Sequence, residues 1–185
     1  TKSGTNEFHG EVYGNYTDDS YRNATPAEQA SGTKTPSVDK DYGFALGGPI
    51  IQDKMHFFFT YEAKKFDTPI TVTPGVTDTA GFLPASASAQ LGPADLPFKE
   101  DLYFGKIDWE PTDRDRFELS GQLRKEDQYD NIGSQTATSS GIDTINRCTR
   151  IAARWQHSGD SYFNELLFTR ENAYNNPTPL QFGDG

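Results

Sequence analysis

Residues 55–63 read Met55-His56-Phe57-Phe58-Phe59-Thr60-Tyr61-Glu62-Ala63. Met55, Phe57, Phe59, Tyr61 and Ala63 alternate with His56, Phe58, Thr60 and Glu62, so one side of the segment is almost wholly apolar. A period of two belongs to the β-strand, whose successive side chains leave opposite faces. The pattern recurs in both directions. Upstream, Phe8, Val12 and Tyr16 share a parity over 8–16, and Tyr42, Phe44 and Leu46 share one over 42–50. Downstream, Tyr103, Gly105, Ile107 and Trp109 oppose Phe104, Lys106, Asp108 and Glu110, and Phe117, Leu119, Gly121 and Leu123 oppose Glu118, Ser120, Gln122 and Arg124. Ile151, Ala153 and Trp155 then alternate with Arg150, Arg154 and Gln156, and a less regular strand from 162 to about 174 carries Leu166 and Phe168.

Seven strands follow, and their connections alternate in length. Residues 18–40, 67–99 and 127–144 are long and polar, while 52–54, 111–115 and 157–161 are short. The stretch 67–99 holds Pro69, Pro74, Pro84, Pro93 and Pro97, which predicts that no strand of a central sheet passes through it. Short turns at one end and long loops at the other, joined by strands that alternate apolar and polar, characterise transmembrane β-barrels of the bacterial outer membrane. Charged residues at alternate strand positions fit a wet lumen, because a dry sandwich core would not accept them unpaired.

Composition narrows the remaining classes. In 185 residues the apolar fraction is 34%, much of it in 13 Phe, 9 Tyr and 2 Trp, so the chain is rich in rings that favour strands and offers little aliphatic material for a thick core. No window of 18 uncharged apolar residues exists, which removes a transmembrane helix but not a barrel. With 17 Lys and Arg against 27 Asp and Glu the formal net charge is -10, and nucleic acid is not an expected partner. The single cysteine, Cys148, sets up no disulfide framework. The chain opens within the polar stretch Thr1-Lys2-Ser3-Gly4-Thr5-Asn6 without an initiator Met, and is read as a piece of a longer precursor.

The motifs then meet a family. Thr1 to Gly10, TKSGTNEFHG, resembles the junction of TonB-dependent outer-membrane receptors where the plug ends and the first barrel strand begins. Leu46 to Ile50, LGGPI, followed by Asp53 to Glu62, DKMHFFFTYE, is similar to the next hairpin of the Oar-like branch, and Phe104 to Trp109, FGKIDW, with its partner strand extends the resemblance to about residue 124. The resemblance implies a barrel of about 22 strands around a plug, importing a scarce ligand with energy drawn through TonB. This segment would supply about seven of those strands, with residues 1–7 as the plug-to-barrel junction and 18–40, 67–99 and 127–144 as extracellular loops. Its partners would be outer-membrane lipid, the remaining barrel and plug, whether in the same chain or another subunit, and TonB through an upstream region. Plug and TonB box are absent from these residues, so by itself the segment is not expected to transport.

Side chains that could carry other chemistry have plainer uses. His9, His56 and His157 fall near the short turns, but separations of 47 and 101 residues form no ligand motif, and no metal or cofactor is expected. Asp113 with Asp115, and Glu126, Asp127 and Asp130, lack the spaced-oxygen pattern of a calcium loop. Glu62, Asp108 and Glu118 could be read as a glycosidase pair, yet no third catalytic element accompanies them, and the expectation is not an enzyme. Asn15-Tyr16-Thr17 and Asn23-Ala24-Thr25 match the glycosylation pattern only formally in a bacterial setting. Gly47-Gly48-Pro49 suggests a strand that bends close to the plug, with Pro49 where pairing stops. Trp109, Trp155 and Tyr162 are placed for a periplasmic aromatic girdle.

The expected fold is therefore all-β, an antiparallel transmembrane barrel segment in the bacterial outer membrane. Phe57, Phe59, Tyr61, Tyr103, Ile107, Phe117, Leu119 and Leu123 are expected to face lipid, and Lys106, Asp108, Glu118, Arg124, Arg150 and Arg154 to line the lumen. Two other readings stay open at this point: a secreted or surface β-sheet binding or adhesion module that folds without lipid, and a barrel that serves a structural or adhesive role without import.

Overall fold

The structure, a computed structural model, describes residues 5–75 and 83–180. Seven strands occur in chain order: β1 (His9–Asp18), β2 (Val38–Ile51), β3 (Met55–Val72), β4 (Gly92–Trp109), β5 (Asp115–Asp130), β6 (Ile142–Ser158) and β7 (Phe163–Pro179). Each pairs antiparallel with the next, giving one meander sheet in the order β1-β2-β3-β4-β5-β6-β7. Among the described residues β1 pairs only with β2 and β7 only with β6, so the sheet stays open within this chain.

Among the described residues no second layer of structure covers either face, and the pattern of burial is inverted relative to a water-soluble domain. The only buried apolar residues among those described are Ala63, Val72 and Ile132, while Phe44, Leu46, Leu119, Ile151, Leu166 and Phe168 stay exposed. Lys106, Asp108, Glu126 and Thr144 are buried instead. An extended apolar surface of this kind in a single sheet needs a non-aqueous neighbour.

The strands run further than the apolar alternation predicted. Pairing continues to Thr71↔Pro93 and Val72↔Gly92 in the β3–β4 hairpin, so the long connection there is 73–91 rather than 67–99. The other two shrink in the same way, from 18–40 to 19–37 and from 127–144 to 131–141. Of the expected junction 1–7 and connection 67–99, residues 1–4 and 76–82 lie outside the described residues.

The prolines explain why the expectation failed. β2 pairs with β3 only as far as Asp39↔Phe66, and β5 with β4 only as far as Phe98↔Gln128, so residues 67–72 and 92–97 form a two-stranded arm flanked by no further strand, met only at Val72 by a bridge to Ser134. Asp67↔Pro97, Pro69↔Asp95 and Thr71↔Pro93 are pairs of one parity. In an antiparallel ladder one parity exchanges hydrogen bonds and the other points its amides outward, and the second is where a residue without an N–H costs nothing. All three prolines occupy it.

The arm and connections pack locally. The 131–141 connection folds onto the arm through Thr73 N donating to the Ser134 carbonyl (2.6 Å) and Ser134 N donating to the Thr71 carbonyl (3.0 Å), which encloses Val72. The 19–37 connection holds a short helix, α1 (Pro26–Ser31), started by a capping box between Thr25 and Glu28. A single helical turn, α2 (Ala85–Ser88), lies in the 73–91 connection.

Candidate functional site: the two faces of the wall

Register decides which side chains share a face. Phe57 opposes Ile107, which opposes Leu119, and Tyr61 opposes Tyr103, which opposes Leu123. Trp109 opposes Phe117, and Phe59 opposes Leu46. All eight residues expected to face lipid therefore lie on one side of the sheet, joined there by Val12, Tyr42, Phe44, Ile151, Ala153, Leu166 and Phe168. At the short-turn end this side carries the continuous row Met55, Trp109, Phe117, Trp155 and Leu166. Trp109 and Phe117 have ring centroids 5.4 Å apart, Phe117 stacks with Trp155 at 6.3 Å, and Tyr162 reaches the row through His157. The Trp155 indole N–H donates to Asp115 (3.2 Å), so the ring is apolar toward its neighbours and polar toward the turn.

The six residues expected in the lumen lie together on the opposite side. Asp108 opposes Glu118, which opposes Arg154, and Lys106 sits one step along beside Ser120. The Lys106 ammonium is 2.9 Å from Glu118 and 3.3 Å from Asp108, with only 3% of its side chain exposed. Arg116 approaches Asp108 from the short-turn end at 3.3 Å. Arg124 pairs with both Glu100 and Glu126, and Arg150 donates to Glu171 at 2.6 Å. Burying one of these charges alone would be costly, and mutual neutralisation is what allows Lys106 and Asp108 to be nearly inaccessible. The sequence pattern marked the cations but not their partners Glu100, Glu126 and Glu171. Glu100 and Glu126 share the parity of Arg124, and a longer strand assignment would have revealed them.

This charged side is not uniformly polar. Phe104 opposes Thr60, and Phe58 lies one step along β3 on the same side with its ring centroid 6.4 Å from that of Phe104; with Tyr13, Leu102, Glu62 and Gln122 the two rings line an open concavity. Gly43 sits at its rim because a Cβ there would come within 2.5 Å of the Tyr61 carbonyl and 2.9 Å of the Tyr13 ring.

The three histidines take separate partners: His9 is 4.0 Å from Glu7, His56 is 2.7 Å from the Asn6 side-chain Oδ1, and His157 is 2.8 Å from Asp115. Among the described residues no group of three His, Cys, Asp or Glu side chains is arranged to hold a metal ion. Glu62 pairs with Lys64 at 2.7 Å, while Asp108 and Glu118 share Lys106, so the three carboxylates suggested as a hydrolytic pair are divided between two ion-pair clusters. Asn6, which sequence reasoning passed over, ties the segment before β1 to the β2–β3 turn: it accepts from Asp53 N (2.8 Å) and donates to the Asp53 carboxylate. The space over Gly48 is taken by the Phe8 ring of this same segment, whose nearest atom would lie 2.4 Å from a Cβ.

At the other end of the sheet the 19–37 connection is clamped internally. Glu28 accepts from the Arg22 guanidinium (2.7 Å), from Thr25 N (2.7 Å) and from Thr35 N (2.7 Å). The Arg22 guanidinium, with these amides, holds the Glu28 carboxyl well below the usual carboxylate range.

A family model described as an outer membrane beta barrel domain matches residues 1–93, half of the chain. The chain belongs to the outer-membrane β-barrel family. Its place is the bacterial outer membrane. The TonB-dependent transporter Oar of Myxococcus xanthus is 38% identical over 63 residues, which take in 31% of this chain and 6% of that protein. The chain thus spans a small fraction of this relative's length. No solved structure matches. The family model points to an outer-membrane barrel and the Oar match to one resembling TonB-dependent receptors, neither to an enzyme family, and the secreted module that folds without lipid gives way to this outer-membrane barrel.

Proposed function

We propose that this segment is wall and loop surface of a TonB-dependent receptor that binds a scarce ligand at the cell surface and imports it. The match to a TonB-dependent transporter is the observation that carries the reading. In this reading the face bearing Phe57, Phe59, Tyr61, Tyr103, Ile107, Phe117, Leu119 and Leu123 meets lipid. The face bearing Lys106, Asp108, Glu118, Arg124, Arg150 and Arg154 lines the lumen. Short turns are then periplasmic and the connections 19–37, 73–91 and 131–141 extracellular.

Geometry supports this assignment of roles. A strand of 18 residues spans about 60 Å, far more than the 9–11 residues that cross the hydrocarbon. The surplus lies beyond the apolar rows at the long-connection end, where it raises the loops above the membrane. The Phe58–Phe104 concavity and the ion-paired belt offer a plug both an apolar seat and a polar rim.

Import requires contact with TonB, and that contact is the test. The whole outer-membrane protein that contains this segment, folded as judged by heat-modifiable migration, should bind the periplasmic domain of TonB. A folded protein that does not bind it would refute import and leave a structural or adhesive barrel.

A further inference from the structure

Beyond the apolar rows the lipid-side parity continues into charge. Lys40 opposes Lys65, which opposes Lys99, and one step nearer the short turns Lys125 opposes Arg147. All five are exposed, and they outnumber the two carboxylates at these levels, Asp101 and Asp127, in a chain whose net charge is -10. Like charges directly opposite on neighbouring strands repel, since their Cβ atoms stand only about 5 Å apart. Three such pairs occur here. Among the described residues Lys65, Lys99, Lys125 and Arg147 have no carboxylate within 4.0 Å, even though Asp127 opposes Lys99 and Asp101 opposes Lys125. Lys40 has the Tyr16 ring 5.5 Å below its ammonium. On the other face Lys64, Lys106, Arg124 and Arg150 are each matched by a glutamate or aspartate. Apart from Arg154, whose Nε is buried without a hydrogen-bond partner, the strand cations of that face are thus paired, whereas this row is left uncompensated.

The height of this tier identifies its neighbour. Lys65 lies six residues past Phe59, the middle of the β3 apolar row. Six residues rise about 20 Å along a strand, or about 15 Å along the membrane normal at the usual tilt, which is just outside an apolar band about 25 Å tall. Lys125 and Arg147 stand one level lower, within reach of the same boundary for long side chains that extend toward it.

We propose that Lys40, Lys65, Lys99, Lys125 and Arg147 form a docking surface for the phosphate groups of anionic glycolipid in the outer leaflet. The inference rests on the facing assigned under Proposed function. Anionic headgroups arrayed in a plane would complement a row of cations that the protein itself leaves unpaired, and each charge at such a surface strengthens binding about fivefold.

The test uses the whole outer-membrane protein in nanodiscs of phosphatidylcholine doped with bis-phosphorylated lipid A or with its dephosphorylated counterpart. Bound glycolipid is counted by native mass spectrometry. Wild type should enrich the phosphorylated lipid at least tenfold, with the preference falling as salt rises and unaffected by equimolar inorganic phosphate. The variant K40Q/K65Q/K99Q/K125Q/R147Q should lose the preference, K65Q/K99Q should lose most of it if the fivefold variant does not assemble, and Lys54→Gln at the opposite end should keep it. Equal binding of the two lipids, or full preference in K65Q/K99Q, would overturn the proposal, and competition by free phosphate would overturn the lipid as its ligand. Quenching by spin-labelled lipid of a probe at position 59, and not at position 60, keeps the facing assignment separate: the reverse pattern overturns that assignment and with it this inference, whereas the expected pattern without lipid preference overturns this inference alone.

Discussion

Phe59→Arg is the most direct perturbation of the wall. Phe59 is the central residue of the row Met55, Phe57, Phe59, Tyr61 and Ala63, which under the proposed facing puts it at the midplane of the apolar band. Its ring lies 5.8 Å from Phe44, and its strand neighbours on this side are Leu46 and Gly105, so no carboxylate adjoins it. An arginine there must either sit in hydrocarbon or stretch some 12 Å to a headgroup. A cation at the midplane of a barrel's lipid face costs about 2–4 kcal/mol, or roughly thirtyfold to several hundredfold in the folding equilibrium. Thr60→Arg is the matched control, one residue away but on the other face, between Ala45 and Phe104 and one step from Glu62. Its cost should stay within about 1 kcal/mol, since a wet face with a nearby carboxylate accepts the charge. Refolding of the outer-membrane protein into lipid vesicles from urea, followed by heat-modifiable migration, measures both. Equal costs, or a larger one at residue 60, would refute the division of faces.

Three further outcomes are expected. Lys106→Met should destabilise the barrel by about 3 kcal/mol in the same assay because it leaves Asp108 and Glu118 facing each other, and adding Asp108→Asn and Glu118→Gln should restore much of the loss. Gly43→Ala should cost about 1–3 kcal/mol through the clash with the Tyr61 carbonyl, whereas Gly105→Ala, whose new methyl would find only the Phe59 ring at 3.8 Å, should cost less. For Glu28 the folded-state carboxyl is more acidic than the unfolded one, so its support of the 19–37 connection is fully present above the unfolded value near 4.3 and is lost only as pH falls through the lower folded value. Protease resistance of that connection should thus be flat from pH 7 to 4.5 and fall at stronger acidity, while Glu28→Gln should be cut readily at pH 7.

What the sequence could determine was local. Period-two alternation such as Met55 to Ala63 makes a strand and sorts its side chains between two faces without reference to any partner, and the alternation of long and short connections orders the strands into a meander. The row from Phe57 through Ile107 to Leu119 was therefore legible, as was the placing of Lys106, Asp108, Glu118, Arg124, Arg150 and Arg154 on the other face. What the tertiary structure alone decided depends on neighbours. Pro69, Pro93 and Pro97 are compatible with a strand only because β2 and β5 end before reaching them, and no single-strand reading can know where an adjacent strand stops. Glu100, Glu126 and Glu171 become partners of arginines through cross-strand register, and Lys40, Lys65 and Lys99 become a row through the same register across three strands. Glu28 gathers donors from residues 22, 25 and 35 through a loop fold that no periodicity encodes. Strand character is written in the spacing of side chains along one segment, whereas charge pairing and the true ends of strands belong to the distances between segments, which only the assembled sheet sets.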